Sequence, residues 1–431
     1  MRLLCLYSTA AILFCLALAV PTAAQDSTAV PCPPDTDAPA FMELGYTRVS
    51  QYDFEAAVAM FTCAIEVDPT LAEAYQNRGA AYTVLREYEL AVRDYNTTIE
   101  LEPNYAKAYN NRGSILLEVG QVQPAVADFS AAIQLDPSLA PAYNNRGRAY
   151  LRLRQYQLAL DDLSRAIALQ PNYANALTNR ATVYNELKLY TQALDDATDA
   201  LAIESNVPQA YNQRGRAYFG LANYELALGD FNRALELSPN LVTAYYNRGR
   251  AYAGAGDNQR AIADLTEAIE RQDNYADAYY ERGRVFAAIQ RYEDSMADYN
   301  RALEIRPAYA AAISARAILH MRLGDTDAAL ADADEAVRVD PGFAEAYYNR
   351  GSIYFMLQNY EDAAADFDVA IQLDPGYARA YLGLGLAYAN QELFPEAAVN
   401  LRTYAAMMGD QTEASALRAL ANVEARLQAG S

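Results

Sequence analysis

The chain has 431 residues, of which 52% are hydrophobic and 21% charged, a globular balance with ample material for a core. Its formal net charge is −21, and only Lys107 and Lys188 are lysines, so its positive charge is almost all arginine. So acidic a chain is a poor partner for a phosphate polymer, which sets nucleic acid aside. One His and no Trp stand beside 35 Tyr, a bias that needs a structural cause.

The N-terminus reads as a secretory signal. Arg2 is its lone positive charge, Ala10 to Val20 is an uncharged apolar run, and Thr22-Ala23-Ala24 offers small residues for cleavage before Gln25. Residues 1–24 are therefore expected to be removed and the protein exported, to a periplasmic or extracellular location, with no stable membrane insertion afterwards. The alternative is an uncleaved anchor, for which the apolar run is short. Neither Cys5 nor Cys15 has a lipobox-like setting. Cleavage leaves Cys32 and Cys63, an even pair that an oxidising compartment allows to close. The alternative is a buried thiol at Cys63 and a free one at Cys32.

Residues 25–37 hold Pro31, Pro33 and Pro34 and few apolar side chains, and read as a flexible spacer. Residues 38–411 are then one array. An Ala followed by a large residue recurs as Ala40-Phe41, Ala74-Tyr75, Ala108-Tyr109, Ala142-Tyr143, Ala176-Leu177, Ala210-Tyr211, Ala244-Tyr245, Ala278-Tyr279, Ala312-Ile313, Ala346-Tyr347 and Ala380-Tyr381, every step thirty-four residues. A fixed period of that size means stacked supersecondary units. In the block 72–105, Tyr75, Gly79 and Tyr82 share one helical face and Ala91, Tyr95 and Thr98 a second, with a turn near Glu87 and a stop at Pro103. Pro recurs at that stop as Pro69, Pro137, Pro171, Pro239, Pro307, Pro341 and Pro375. Thr412 to Gln428 places Leu417, Leu420 and Leu427 on one side, so 412–431 is expected to be a capping helix and tail.

These residues resemble the tetratricopeptide repeat family: the aromatic after the opening Ala, the small residue at Gly79 or Gly147, the aromatic at Tyr82 or Tyr150, Ala91 and Ala159, then Pro103 and Pro171. The resemblance implies an all-α, right-handed superhelical α-solenoid of eleven helix-turn-helix repeats. The tyrosines are expected to fill the space between helices with the hydroxyl near water. Blocks at Ala174 and Ala310 depart most, lacking aromatics and Gly at the usual places.

Where the family usually has Leu, nine consecutive blocks have Arg: Arg78, Arg112, Arg146, Arg180, Arg214, Arg248, Arg282, Arg316 and Arg350. Sixteen residues later the same nine have Asp94, Asp128, Asp162, Asp196, Asp230, Asp264, Asp298, Asp332 and Asp366, while the end blocks have Leu44 with Met60 and Leu384 with Asn400. Charges that come and go together predict ion pairs within each block, since pairing with the next block would strand Arg78 and Asp366.

Asn precedes that Arg at Asn77, Asn111, Asn145, Asn179, Asn247 and Asn349. An amide offers a donor and an acceptor, which suits the backbone of an extended peptide. The column is similar to the asparagine ladder of O-linked GlcNAc transferases, which implies a peptide-holding groove; the other reading is local bonding within the stack. Two residues past the Arg of the repeat stand Arg148, Arg216, Arg250 and Arg284, one turn from Asn144, Asn212, Tyr246 and Tyr280. They predict a positive, aromatic-lined stripe for an acidic, extended partner segment, or else pairing with Glu and Asp of neighbouring blocks.

No catalytic constellation appears, and neither a cofactor nor a metal is expected. His320 falls on a core-facing position. Gly254-Ala255-Gly256 and Gly383-Leu384-Gly385 follow no strand and are not phosphate loops. Asp325, Asp327, Asp332 and Asp334 lack calcium-loop spacing. Asn96-Thr97-Thr98 is a glycosylation sequon, meaningful only in a eukaryotic secretory route. The expectation is a non-enzymatic protein–protein interaction scaffold of the cell envelope that binds an extended segment. The alternatives are a scaffold acting through its acidic outer face and an assembly factor for an envelope export machine.

Overall fold

The computed structural model describes Cys32, Pro33 and residues 36–429. The expected signal peptide and most of the spacer lie outside the described residues. All regular structure among these residues is helical. The helices are α1 (Ala38–Ser50), α2 (Phe54–Val67), α3 (Ala72–Val84), α4 (Tyr88–Leu101), α5 (Ala106–Glu118), α6 (Val122–Leu135), α7 (Ala140–Arg152) and α8 (Tyr156–Leu169). They continue as α9 (Ala174–Glu186), α10 (Tyr190–Ile203), α11 (Pro208–Gly220), α12 (Tyr224–Leu237), α13 (Val242–Gly254), α14 (Asn258–Arg271), α15 (Ala276–Ala288) and α16 (Tyr292–Ile305). The last are α17 (Ala310–Leu323), α18 (Thr326–Val339), α19 (Ala344–Met356), α20 (Tyr360–Leu373), α21 (Ala378–Asn390), α22 (Phe394–Met408) and α23 (Ala414–Ala429). The chain is thus an all-helical series of helix-turn-helix repeats. It forms two compact units, one ending at Ala149 and one beginning at Tyr150, although the thirty-four-residue register runs unbroken through α7.

Each hairpin turns through a left-handed residue at one fixed position: Tyr52, Arg86, Gly120, Arg154, Lys188, Ala222, Gly256, Gln290, Gly324, Gln358 and Glu392 all have positive φ. Only three of these are Gly, so eight side chains tolerate a backbone state that costs an L-residue on the order of 1 kcal/mol. The second helix ends where its C-cap residue becomes extended, one residue before the usual Pro, as at Asp68, Asp136 and Asp374.

Inside a hairpin the two helices meet at a small residue. A Cβ built on Gly45, Gly79 or Gly113 in the first unit, or on Gly215, Gly249, Gly283, Gly351 or Gly385 in the second, would lie 2.3–3.1 Å from the residue sixteen positions on or its neighbours. That residue is Phe61, Tyr95, Phe129, Phe231, Leu265, Tyr299, Phe367 or Leu401, and each is buried. Two hairpins solve the contact differently. Ala181 shares a cluster with Ala197, and Ala317 one with Ala333: where Gly gains a methyl, the large side chain opposite is reduced to Ala.

The paired charges lie within the block, as their shared appearance predicts. Arg78 and Arg112 donate Nε and Nη2 to both oxygens of Asp94 and Asp128 at 2.7–2.8 Å. In the second unit Arg180, Arg214, Arg248, Arg282, Arg316 and Arg350 do the same to Asp196, Asp230, Asp264, Asp298, Asp332 and Asp366. The remaining Nη1 often reaches back to the preceding hairpin: Arg78 to Thr62, Arg112 to Asn96, Arg146 to Ser130, Arg180 to Ser164, Arg248 to Asn232, Arg282 to Thr266, Arg316 to Asn300 and Arg350 to Asp334. Arg78, Arg112, Arg180, Arg248, Arg282, Arg316 and Arg350 therefore each join three helices, and the planar fork explains why Lys does not replace them. Asn96, the sequon residue, is one of these acceptors.

At the ends of the array the pattern changes. Cys32 and Cys63 are bonded, with Cα atoms 5.6 Å apart, and Cys32 packs on the cluster of Phe41, Met42 and Phe61. α23 packs on α21 and α22 through Ala416, Leu420, Val423 and Leu427. Leu417 is 49% exposed and does not share that face. The stripe 416, 420, 423 and 427 has helical spacing, and position 417 lies about 100° off it.

Candidate protein-binding groove

The first helices of the second unit carry the predicted stripe. Arg216 on α11 pairs with Glu186 at the end of α9 at 2.7 Å and donates to the Gln213 amide oxygen. Arg250 on α13 lies over the rings of Phe219 and Tyr246, 4.7 and 5.5 Å from their centroids, with Glu281 at 3.5 Å. Arg284 on α15 takes the other oxygen of Glu281 at 3.0 Å and sits over Tyr280. Pairing with neighbouring acids is therefore present, yet it is incomplete: one carboxylate, Glu281, serves two guanidiniums. These pairs are partly open to solvent, where an ion pair is worth about 0–1 kcal/mol and is readily exchanged. Arg148, in the first unit, is exposed on α7.

Around them runs a chain of cavities. The largest, about 480 Å³, is lined by Arg154, Glu186, Asn212, Arg216, Tyr246, Asn247, Arg250, Tyr275, Asp277 and Arg306, with Thr182, Gln213 and Thr243. It shares Arg216 and Arg250 with a second of about 190 Å³, which adds Lys188. A third of about 270 Å³ shares Arg250 and leads to Arg284. A fourth of about 380 Å³ shares Arg284 and ends at Arg322, Glu345 and Asn349. Together the linings hold seven cations and four carboxylates. In a chain of net charge −21 this is a local reversal of sign. Arg154 and Arg322 have no ion-pair partner among the described residues.

Several of these residues escape the repeat pattern. Arg306 accounts for Asp277: its Nη1 and Nη2 reach both carboxylate oxygens, and the Tyr309 hydroxyl donates at 2.8 Å. Burial alone would push the Asp277 carboxyl up, but these bonds hold it below the usual carboxylate range. Burial, with the Asp277 charge beside it, pushes the Tyr275 phenol up to about 12. Burial raises Tyr246 and Tyr280 as well. All three remain neutral hydroxyls at physiological pH. Arg306 had a signal available. Its column elsewhere reads Asp68, Glu102, Asp136, Gln170, Glu204, Ser238, Gln272, Asp340 and Asp374, so one Arg among acids and polar residues marks a reversal. Arg154 occupies the left-handed turn position, whose letters share no chemistry, and offered none.

The asparagine column lies at the seam between successive first helices. Asn77 donates to the Tyr46 hydroxyl and the Glu73 carbonyl, Asn145 to the Asn110 oxygen and Ser114, Asn247 to the Asn212 oxygen, and Asn349 to Ser314. Asn111 accepts from Asn110, and Asn179 is half-buried on α9. Local bonding within the stack thus occupies donors of these amides, while Asn247 and Asn349 also line the groove. His320 is half-buried, with Asp325 and Asp332 within 3.9 Å of its ring nitrogens.

Family profiles described as tetratricopeptide repeats match residues 72–105, 140–173, 95–126, 246–310 and 314–378, and a further profile described as TPR repeat matches 113–154 and 215–256. The chain belongs to the tetratricopeptide repeat family. No curated protein is significantly similar to this repeat protein in sequence. Among solved structures, a chain of the APC/C hetero-tetramer Cut9–Hcn1 superposes with a TM-score of 0.54 at 12% identity, over 90% of this chain and 96% of that one. Yeast Tom70 gives 0.47 at 17% identity, over 91% and 96%. YrrB, a TPR protein with an unusual peptide-binding site, gives 0.34 at 27% identity, over 43% of this chain and 95% of its own. The first likeness supports the fold of this repeat protein and nothing finer. Among its described residues no helix is long and apolar enough to cross a membrane.

Proposed function

We propose that this tetratricopeptide repeat protein is an exported, non-enzymatic scaffold of the cell envelope, and that it holds an extended, acidic segment of a partner protein in the groove from Arg154 to Arg322. Repeats of this kind serve protein–protein interaction, which sets the class of activity. The observation that carries the finer reading is the excess of guanidinium over carboxylate along one continuous set of cavities in an acidic molecule. Guanidinium forks match carboxylates in geometry, and the Tyr246, Tyr275 and Phe219 rings flank a chain without adding charge. The Cys32–Cys63 bond supports export, since such bonds persist in oxidising compartments.

The test uses a fluorescein-labelled peptide of about ten glutamates, long enough to cross several repeats when extended. The triple variant Arg216→Ala, Arg250→Ala and Arg284→Ala is expected to lose at least about tenfold in affinity, and wild-type binding to weaken as salt rises. The helical melt should stay close to wild type, because these side chains line cavities rather than the core. Equal affinity in wild type and variant, at equal fold stability, rejects the groove. Export has its own check: an intact mass that retains Met1 on protein recovered outside the cytoplasm rejects cleavage before Gln25.

A further inference from the structure

The groove changes character towards α21. The column that supplies Arg216, Arg250 and Arg284 continues as Ile318, Ser352 and Leu386, and the column that supplies Asn247 and Asn349 ends in Gly383. Loss of both long polar side chains leaves a cavity of about 220 Å³, walled by Tyr348, Phe355, Phe367, Leu382 and Leu386. Gly383 keeps it open: a Cβ there would sit 2.7 Å from the Phe367 ring, so an amide at this position would occupy the space or displace the ring. The Tyr348 ring packs on that same Phe367 ring at 5.7 Å between centroids. Exposed Arg379 lines the same cavity and has no ion-pair partner among the described residues.

The cavity continues the positive groove. On α19, Glu345 and Asn349 line the groove's last cavity, while Tyr348 and Ser352, on the same helical face, line this one. We infer that the partner segment held in the groove carries one large aliphatic or aromatic side chain, seated among Tyr348, Phe355, Phe367, Leu382 and Leu386, with a carboxylate beside it on Arg379. The inference rests on the groove reading above and adds its specificity. Acidic residues set attraction along the arginines, and the apolar anchor sets register. Burying such a side chain in a preformed apolar cavity is worth about tenfold or more in affinity.

Fluorescence anisotropy with the glutamate peptide, and with copies carrying a single Leu or a single Ala at each position in turn, tests this. One Leu position is expected to bind about tenfold tighter than Ala at the same position. Ser352→Trp, which fills the cavity, should abolish that gain and still bind the all-glutamate peptide as wild type does. If Ser352→Trp does not fold, the exposed substitution Arg379→Glu takes its place, and the Leu peptide must then lose its advantage where a glutamate adjoins the Leu. Failure of every Leu position to gain, or a gain that survives intact in the folded variant, overturns the anchor and leaves the groove standing. Failure of the all-glutamate peptide to bind wild type overturns the groove and the anchor together.

Discussion

The adjacent hairpins α15–α16 and α17–α18 carry the same charges over opposite cores. In the first, Gly283 receives the buried ring of Tyr299, and Tyr280 packs on that ring and on Tyr309. In the second, Ala317 meets Ala333 in a cluster with Ala329 and Ile353. Arg282–Asp298 and Arg316–Asp332 keep the same forked geometry in both. The ion pair is thus insensitive to what fills the core beside it. The core contact adjusts as a unit, both members changing size in opposite senses at the point of closest approach.

The ion pairs offer the largest contrast. Asp298→Ala is expected to cost about 3 kcal/mol, because it strands a guanidinium whose side chain is 17% exposed. Asp332→Ala should cost about half that, since Arg316 and Asp332 are more open, at 24% and 14%, and solvent replaces part of the pair. Repeat arrays need not unfold in one step, so hydrogen exchange resolved by hairpin is the suitable measure. Equal costs at the two sites would mean that exposure does not govern the pair, and the contrast would fail.

The core contact comes next. Gly283→Ala places a methyl 2.8 Å from the Tyr299 ring and 3.3 Å from the Asp298 Cβ, and should lower the stability of α15–α16 by about 2 kcal/mol. Ala317→Gly, the same exchange in the opposite sense, meets no ring. It should cost no more than about 1 kcal/mol, the ordinary price of Gly in a helix. A harmless Gly283→Ala would show that the ring has room to move and that the size matching is not a constraint.

Some of this was legible in the sequence and some was not. The ion pairs were, because Arg and Asp appear and vanish together at a spacing of sixteen and their chemistry admits few other partners. The departure of the blocks at Ala174 and Ala310 was legible too. Its compensation, Ala181 with Ala197 and Ala317 with Ala333, lay in the same columns, and only the distance of a built Cβ from a ring shows that the two columns touch. The groove stripe of Arg216, Arg250 and Arg284 recurs with the period and could be read. Arg306 and Asp277 could not be placed together, since they occupy different columns at opposite ends of one hairpin and meet only through folding. The asparagines were ambiguous for a physical reason. One helix face serves both seam and groove, and an amide bonds equally well to a neighbouring repeat or to a peptide.

The turn residues carry the smallest and cleanest contrast. Gln290 and Gly324 hold the same place in the two hairpins, with φ of 63° and 85°. A Cβ on Gly324 would touch nothing within 4 Å, so packing drops out and only the backbone remains. An L-side chain in this region costs on the order of 1 kcal/mol against Gly, while Gly loses more chain entropy on folding, by roughly 0.5–1 kcal/mol. Gln290→Gly should therefore stabilise α15–α16 by no more than about 0.5 kcal/mol, and Gly324→Ala should destabilise α17–α18 by a similar amount. The two shifts should be opposite in sign and close in size, read from the exchange of amides in the flanking helices. Shifts of the same sign would mean that the side chain at this position bonds or packs in the folded state, and that eight of the eleven turns keep a non-glycine residue for a contact rather than by tolerance.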